Sequence, residues 1–242
     1  MNSIATKTVR DLAVEIPGAT RVFENLGIDY CCGGDRTLDH ACDAAGVTVE
    51  YVTTSLEQVN GSHPNFEEPS FLTATLAELI DHIVEKHHVF TKTEIARLRK
   101  LIDKVYGVHG QNHPELAEIR ELFEALSAEL EPHMMKEERV LFPYTVELEN
   151  AARNKLSPPN PPFGTVANPV RRMMREHEDA GALLRQMRRF SGNYTIPQDA
   201  CISYQTLYQA LDAFEKDLHK HIHLENNILF PRAVEMEASI VS

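Results

Sequence analysis

Two stretches of this chain repeat one pattern, HMMKEERVLFP at residues 133–143 and HIHLENNILFP at residues 221–231. Each has a His, a Glu four residues later, and then Leu-Phe-Pro at the same offsets. Residues four apart on an α-helix lie on one face, about 6 Å apart along the axis. An imidazole and a carboxylate so placed form a bidentate platform for a transition metal. Two copies predict two facing platforms, which is typical of a dinuclear metal site in a helical bundle.

The composition limits the function classes. The chain has 242 residues, enough for one large or two modest domains, with 24 basic and 36 acidic residues and a net charge of −12. This acidic balance argues against a nucleic-acid or anionic-membrane partner, since both need a concentrated positive surface. The chain has neither a secretory h-region nor an apolar run of membrane-spanning length, and its four cysteines do not suggest a disulfide framework. We therefore expect a cytoplasmic protein.

The first 60 or so residues indicate a small helical unit. Short helices are expected to open at Val9 and at Gly18, a Gly-rich turn covers residues 29–35, and a further helix is expected from Thr37 to Ala45. The Gly, Pro and Ser residues of segment 60–69 are typical of a linker. We therefore predict two domains, a small helical one at residues 1–62 and a helical bundle at residues 72–242.

Four long helices are predicted beyond the linker, each with an apolar seam at spacings of three and four. The Pro-rich stretch 157–169 separates the second helix from the third. The second half of the bundle repeats the first half 88 or 89 residues later. This pattern predicts an all-α, up-down-up-down four-helix bundle that brings four His and two Glu to one level of its core. The seam residues concerned are His88, His133, Glu137, His177, His221 and Glu225.

A metal is the hypothesis that best explains this set. A single His in an apolar stripe is more often a hydrogen-bonded core residue than a ligand. However, a buried carboxylate costs several kcal/mol unless it is paired or metal-bound, and here two are expected. The absence of thiolates among the six residues disfavours structural zinc. Shared carboxylates suit iron or manganese, and we favour two iron ions because imidazole-rich sites favour iron.

The remaining polar residues of the bundle are ambiguous. Periodicity alone does not separate His87 from His88, although the onward neighbours Thr91 and Ile95 favour His88 slightly. Glu138 and Glu176 adjoin ligand positions and either orient them or belong to a solvated face. Six further histidines are expected to be solvated (His219 and His223) or bystanders near loops and the surface (His40, His63, His109 and His113).

Pro132 directly precedes His133 inside a predicted helix. Proline there removes a backbone hydrogen bond and crowds the preceding turn. The expected result is either a kink that aims His133 or a locally irregular helix.

Cys31 and Cys32 form a second chemical feature. Adjacent cysteines can close only a strained eight-membered disulfide ring, so the pair favours a readily reducible redox couple over a structural staple. The alternative is two small packed residues. Cys42 is a candidate third thiol of the small domain, and Cys201 is expected to pack at the start of the fourth helix.

The order His…His-x-x-x-Glu…His…His-x-x-x-Glu resembles the hemerythrin-like di-iron domain. With DYCCGG at residues 29–34 in front of such a bundle, nearly the whole chain resembles the iron–sulfur cluster repair proteins of the RIC type. The resemblance implies two irons, each held by two His and bridged by two Glu and an oxo group, with His88 rather than His87 as the first ligand. It also implies a bacterial protein of the nitrosative and oxidative stress response.

Three functions follow from this resemblance. The favoured one is repair of damaged iron–sulfur proteins by supply of iron, with Cys31 and Cys32 supplying electrons or capturing NO or iron. The second is an enzyme that couples two NO molecules to N2O with an electron donor, and the third is a sensor that binds O2 or NO. The sequence leaves open the electron donor, the client proteins and the oligomeric state, a homodimer included.

Overall fold

A computed structural model describes residues 4–16, 18–61, 71–157 and 159–241, and these residues form helices joined by turns. Four short helices come first: α1 (Val9–Glu15), α2 (Ala19–Leu26), α3 (Leu38–Ala45) and α4 (Val49–Gly61). Thr8 caps α1 by accepting a hydrogen bond from the Asp11 amide, and Gly27 and Gly46 end α2 and α3 in the left-handed region. Most of the predicted linker, residues 62–69, lies outside the described residues.

Four long helices follow, and three of them contain one π-helical turn. The first consists of α5 (Leu76–His82), π1 (Ile83–His88) and α6 (Val89–His109); the second of α7 (Glu115–Lys136), π2 (Glu137–Leu141) and α8 (Phe142–Asn154). The third is α9 (Ala167–Phe190). The fourth consists of α10 (Ile202–Leu224), π3 (Glu225–Leu229) and α11 (Phe230–Val241). The predicted all-α bundle is confirmed.

The first bundle helix begins at a reciprocal cap. The Thr75 hydroxyl accepts from the Glu78 amide, while the Glu78 carboxylate accepts from the Thr75 amide. Glu149, on the second long helix, accepts from the Leu76 amide at 2.7 Å and so ties the start of α5 to its neighbour. A carboxylate is favourable at this position because the amide groups of a helix N-terminus carry partial positive charge.

Two apolar clusters fill the bundle on either side of one polar level. One cluster contains Ile83, Leu141, Met173 and Leu229, and the other contains Ile95, Leu130, Leu184 and Leu218. The first cluster precedes the second along helices one and three and follows it along helices two and four. This alternation is what an up-down-up-down arrangement produces, and it places the polar residues between the clusters at mid-bundle.

The second long helix is irregular at Glu137 and not at Pro132, where the irregularity was predicted. Pro132 lies inside α7, which continues as α-helix to Lys136, and the wider π turn begins at Glu137. In π2 and π3 the amides of Phe142 and Phe230 donate to the carbonyls of Glu137 and Glu225, five residues back. The wide turn gives room to the proline that follows in each Leu-Phe-Pro string, since proline would crowd the carbonyl of a normal α-turn.

The N-terminal unit packs against the fourth long helix. Its apolar residues, including Phe23, Tyr30 and Cys42, belong to the same cluster as Leu218 and Ile222 of α10. No described helix is both long enough and apolar enough to cross a membrane.

Candidate metal centre and the neighbouring thiol pair

The structure brings all six predicted seam residues together at mid-bundle. Their ligand atoms form two overlapping groups, each with all atoms within 4.8 Å of one another. Both groups contain Glu137 and Glu225. The first adds His88 and His221, and the second adds His133 and His177. This is a pair of two-histidine positions joined by two shared carboxylates.

Short distances define each position. His88 Nε2 lies 3.1 Å from His221 Nε2, and His133 Nε2 lies 2.9 Å from His177 Nε2. Glu225 reaches both positions, with Oε1 at 3.0 Å from His221 Nε2 and Oε2 at 3.2 Å from His177 Nε2. Glu137 does the same, with Oε2 at 3.5 Å from His88 Nε2 and Oε1 at 3.3 Å from His133 Nε2.

The outer nitrogens of three rings are fixed by acceptors. His88 Nδ1 lies 2.7 Å from Glu138 Oε1, and His133 Nδ1 lies 2.9 Å from Glu176 Oε2. His177 Nδ1 lies 2.8 Å from the amide oxygen of Asn226. Because carboxylate and amide oxygens only accept, each of these Nδ1 atoms carries a hydrogen, and neutral rings then turn Nε2 lone pairs inward.

Lysines hold the two accepting carboxylates in their ionised form. Lys92 pairs with Glu138, and Lys136 pairs with Glu176 at 2.6 Å. Burial raises the pKa of Glu138, but Lys92 and His88 more than offset this and hold its pKa below the ordinary value. The hydrogen bond from His133, with help from Lys136, holds the pKa of Glu176 well below its usual range. Both carboxylates therefore act as acceptors, as one of the two sequence interpretations expected.

The donor set fits a pair of cations. Glu137 and Glu225 are 0% exposed, and neither oxygen of Glu137 nor Oε2 of Glu225 has a hydrogen-bond partner among the described residues. Such carboxylates cost several kcal/mol each unless a cation neutralises them. When both rings are neutral, the facing Nε2 lone pairs of His133 and His177, 2.9 Å apart, also repel each other. Two nitrogens at adjacent positions on one ion lie about 3 Å apart, given metal–nitrogen bonds of about 2.1 Å.

The Cys31-Cys32 turn docks beside this centre. The two sulfurs are 3.7 Å apart as free thiols, and Cys32 Sγ donates to the carbonyl of His177 at 3.4 Å. Asp29 Oδ1 accepts from the amides of residues 31, 32 and 33 and so fixes the turn. The hydrogen bond to Cys32, burial and the Asp29 charge raise the pKa of Cys31 well above its ordinary value. Cys31 is therefore a protonated thiol near neutral pH. Cys31 is buried, and Cys32 is half-buried.

The predictions for the other histidines are confirmed in part. His87 is buried, but its Nδ1 lies 3.1 Å from Asp217 and its ring stacks on His221, so it does not join the six. His40 is exposed, and His63 lies outside the described residues. His109 and His113 lie at the end of the bundle far from the six, His113 paired with Asp199 and Glu115.

The prediction that His219 and His223 are solvated is wrong. His223 is 5% exposed, and His219 is half-buried and paired with Glu24 at 3.1 Å. The two residues do lie away from the six, but Tyr30 of the N-terminal unit covers that face and packs edge-on against both rings. Burial lowers the pKa of His223 to about 4.

Cys42, the candidate third thiol of the small domain, is buried in the N-terminal unit, and Cys201 is exposed rather than packed. It precedes α10 as the N-cap residue, and its sulfur lies 3.1 Å from His109 Nε2.

Asn226 is the functional candidate that sequence reasoning missed. It occupies, in the second His-x-x-x-Glu string, the position of Glu138 in the first. Aligning the two strings would have indicated it, because Glu138 and Asn226 each accept from the outer nitrogen of a histidine on another helix.

Comparison with known proteins places the chain in a family. Residues 79–233 match the hemerythrin HHE cation binding domain, and residues 5–60 match ScdA_N, a domain of unknown function (DUF542). The "Probable iron-sulfur cluster repair protein" of Haemophilus influenzae is 34% identical over 96% of this chain and 98% of its own length. The chain belongs to the iron–sulfur cluster repair protein family.

Other members have the same extent. The "Iron-sulfur cluster repair protein YtfE" of Musicola paradisiaca is 34% identical over 96% of this chain and 98% of its own length. The protein of that name from Citrobacter koseri is 34% identical over 97% of this chain and all of its own length. The predicted resemblance is confirmed, and the bundle of this family member is a hemerythrin-type cation-binding domain. The ligand roles of the six residues, the redox role of Cys31 and Cys32 and the division at residues 62–72 stay predictions.

Proposed function

We propose that this family member holds two iron ions at the six-residue centre and repairs damaged iron–sulfur proteins in the cytoplasm by supplying iron to them. The observation that carries the proposal is the sharing of two buried, otherwise unpartnered carboxylates by two histidine pairs. The six ligands are His88, His133, Glu137, His177, His221 and Glu225. Four imidazoles and two carboxylates without a thiolate favour iron over structural zinc.

The surrounding residues suit storage of a releasable metal. Glu138, Glu176 and Asn226 orient three rings, and the apolar clusters on either side limit access by water. Bound iron would supply an open coordination position for a small ligand such as NO or O2 and electrons for its chemistry. The free thiols of Cys31 and Cys32 lie beside His177 and, in this proposal, assist transfer or reduction, with an electron donor and the damaged protein as partners.

Metal content and repair test the proposal together. Chain purified without a tag or added metal should contain about two irons, and the Glu137→Leu, Glu225→Leu double variant should contain none. Incubated anaerobically with an iron–sulfur enzyme damaged by NO, the native chain should restore its activity and the double variant should not. Glu147→Leu, Glu235→Leu is the matched control, because both residues are exposed glutamates on the helices that follow π2 and π3.

Three results would contradict the proposal. Repair by the double variant at the native rate would exclude the centre as the source of iron. Catalytic formation of N2O from NO and a reductant, without any restoration of the damaged enzyme, would favour an NO reductase. An absence of iron with one zinc per chain would make the six residues a structural site.

A further inference from the structure

The Asn226 side chain forms hydrogen bonds both to a predicted metal ligand and to the turn that carries Cys31 and Cys32, called the thiol turn below. Its amide oxygen accepts from His177 Nδ1 at 2.8 Å, and its amide nitrogen donates to the carbonyl of Cys31 at 3.2 Å. The residue is 5% exposed, so water does not compete for either bond. A second contact runs beside it, from Cys32 Sγ to the His177 carbonyl at 3.4 Å.

The chemistry of the amide makes these two bonds depend on each other. A side-chain amide has an accepting oxygen on one side and a donating nitrogen on the other. If the oxygen faces one neighbour, the nitrogen must face the other. A metal on His177 Nε2 requires the ring hydrogen on Nδ1, which must then point at the oxygen of Asn226. The nitrogen of Asn226 is then turned towards the Cys31 carbonyl. If the hydrogen moves to Nε2, Nδ1 becomes an acceptor and attracts the nitrogen of Asn226, which leaves two oxygens facing at Cys31.

The equivalent position in the first half of the bundle supports this interpretation. Glu138 stands there, and it accepts from His88 on one side and pairs with Lys92 on the other. A carboxylate can only accept, so it would repel a backbone carbonyl in place of Lys92. An amide is the group that can serve both neighbours where the thiol turn docks.

We infer that Asn226 is a positioning residue that couples metal at the His133–His177 position to the docking of the Cys31-Cys32 turn. Metal binding holds the turn closed, and a closed turn orients His177 for metal, because such coupling is reciprocal. When the metal leaves, the turn loosens and exposes both thiols. The inference rests on the proposed metal site and adds a means by which the thiols respond to its occupancy.

Asn227 provides a matched control. Its amide nitrogen donates to the carbonyl of Tyr30 at 2.9 Å and lies 2.8 Å from His223 Nδ1, so it holds the same turn. However, neither of these neighbours belongs to the six residues of the centre. Loss of Asn227 should weaken docking without removing its dependence on metal.

The test is the rate at which iodoacetamide alkylates each cysteine of the full, reduced chain, followed anaerobically by mass spectrometry. The chain is compared without metal and after loading with ferrous iron, and metal content is measured on the same samples. In the native chain, loading should slow alkylation of Cys31 and Cys32 about tenfold, within the typical range of coupling between sites. Exposed Cys201 lies far from the centre and should react equally in both samples.

The variants separate coupling from simple shielding by the metal. In Asn226→Ala the ratio between metal-free and loaded rates should fall to about twofold or less. In Asn227→Ala both rates should rise while their ratio stays near the native value. Asn226→Asp keeps an acceptor for His177 but has no donor for the Cys31 carbonyl. It should therefore bind metal, and its ratio between metal-free and loaded alkylation rates should still fall to about twofold or less.

The outcomes distinguish the inference from the proposed function. A native ratio in Asn226→Ala or Asn226→Asp loaded with two irons would overturn the coupling and leave the metal site intact. If Asn226→Ala fails to fold or to bind iron, the result for Asn226→Asp decides. A native chain that binds no iron would overturn the proposed function, and the coupling with it.

Discussion

The partner of each outer histidine nitrogen differs between the two metal positions. At the His133–His177 position both rings have an acceptor, Glu176 and Asn226. At the other position His88 has Glu138, but His221 Nδ1 is buried and has no hydrogen-bond partner in the part of the chain that the structure describes. Glu176 directly precedes the predicted ligand His177 on the third helix, and His87 directly precedes His88 on the first. The His87 ring stacks on the His221 ring and accepts no hydrogen bond from it. The two positions are therefore chemically unequal.

Replacement of Glu176 by Gln tests the support given to His133. The change removes the anion that accepts from His133 Nδ1 and leaves Lys136 without its counter-charge. Loss of such an outer partner lowers metal affinity by about 10- to 100-fold. We expect a shift of that size for one of the two irons, measured by competition with a chelator under anaerobic conditions.

Glu178→Gln is the control for this change, because Glu178 is an exposed carboxylate on the same helix. It should bind both irons as the native chain does. Equal affinities in the two variants would show that the hydrogen bond between Glu176 and His133 does not support metal binding.

The residues of the centre could be predicted because their spacing carries the information. His133, Glu137, His221 and Glu225 lie four apart within each string, and the repeat supplied the other two helices. His87 and His88 could not be separated in this way, because π1 spans Ile83–His88 and adds a residue to the turn. Buried Ile83 therefore shares its face with His88, five residues on. Asn226 and Asp217 act on residues of other helices, which periodicity along one helix does not reveal.

At the scale of the elements, the close approach of the thiol turn to α9 depends on a glycine. A Cβ atom at Gly181 would lie 3.3 Å from Cys32 Sγ, closer than an ordinary contact. The absence of a side chain lets the sulfur reach the carbonyl of His177 one turn earlier on the same helix. Helix α9 has no π turn, so its backbone offers the thiol a regular surface.

Gly181→Val should displace the thiol turn while the bundle stays folded. We expect faster alkylation of Cys32 in the loaded chain, by about fivefold or more, because the valine side chain occupies the space of the sulfur. Gly107→Val is the matched control: that residue also lies inside a long helix, but a Cβ there meets no atom within 4 Å. Equal Cys32 rates in the two variants would contradict a close fit at Gly181.

The helices were predictable where an apolar seam is long, and less so elsewhere. All four bundle helices follow from periodicity, and the expected openings at Val9, Gly18 and Thr37 lie within one residue of the starts of α1, α2 and α3. Helix α4 was not predicted as a separate element. The π turns were not predicted either, since the local sequence does not specify where a helix widens to fit a buried ligand and a following proline.

At the scale of the whole molecule, the centre is a charged layer between two apolar clusters. Without metal, two carboxylates and four imidazoles must share few protons in a space closed to water. With metal, the same residues join all four helices at mid-length. The sign of their contribution to stability therefore depends on occupancy.

The Glu137→Leu, Glu225→Leu double variant should be more stable than the native chain without metal and less stable than it with metal. Without metal, the leucines remove two buried, incompletely paired carboxylates, so we expect a free energy of unfolding about 1–4 kcal/mol higher than that of the native chain. With ferrous iron in excess the native chain should gain about 4 kcal/mol at a thousand times the dissociation constant, and the variant should gain nothing. Thermal unfolding with and without a chelator measures both.

The Glu147→Leu, Glu235→Leu control should have the stability of the native chain both with and without metal. A double variant less stable than the native chain without metal would mean that hydrogen bonds among the histidines already satisfy the two carboxylates. The centre would then need no cation for its stability.

The fully buried apolar residues of the N-terminal unit share a cluster with one half of the bundle, and partly buried Val14 of α1 packs against the other cluster. Local opening of the chain therefore need not follow the order of the sequence. Helices α2 and α3 should exchange their amide hydrogens together with the middle of α6 and α10, as one cooperative folding unit. The opposite end, with α5, α8 and α11, should open separately. The boundary between these two cooperative units would then cross every long helix at the level of the centre. The boundary between the two predicted sequence domains, residues 1–62 and 72–242, runs at right angles to it, along the side of the bundle.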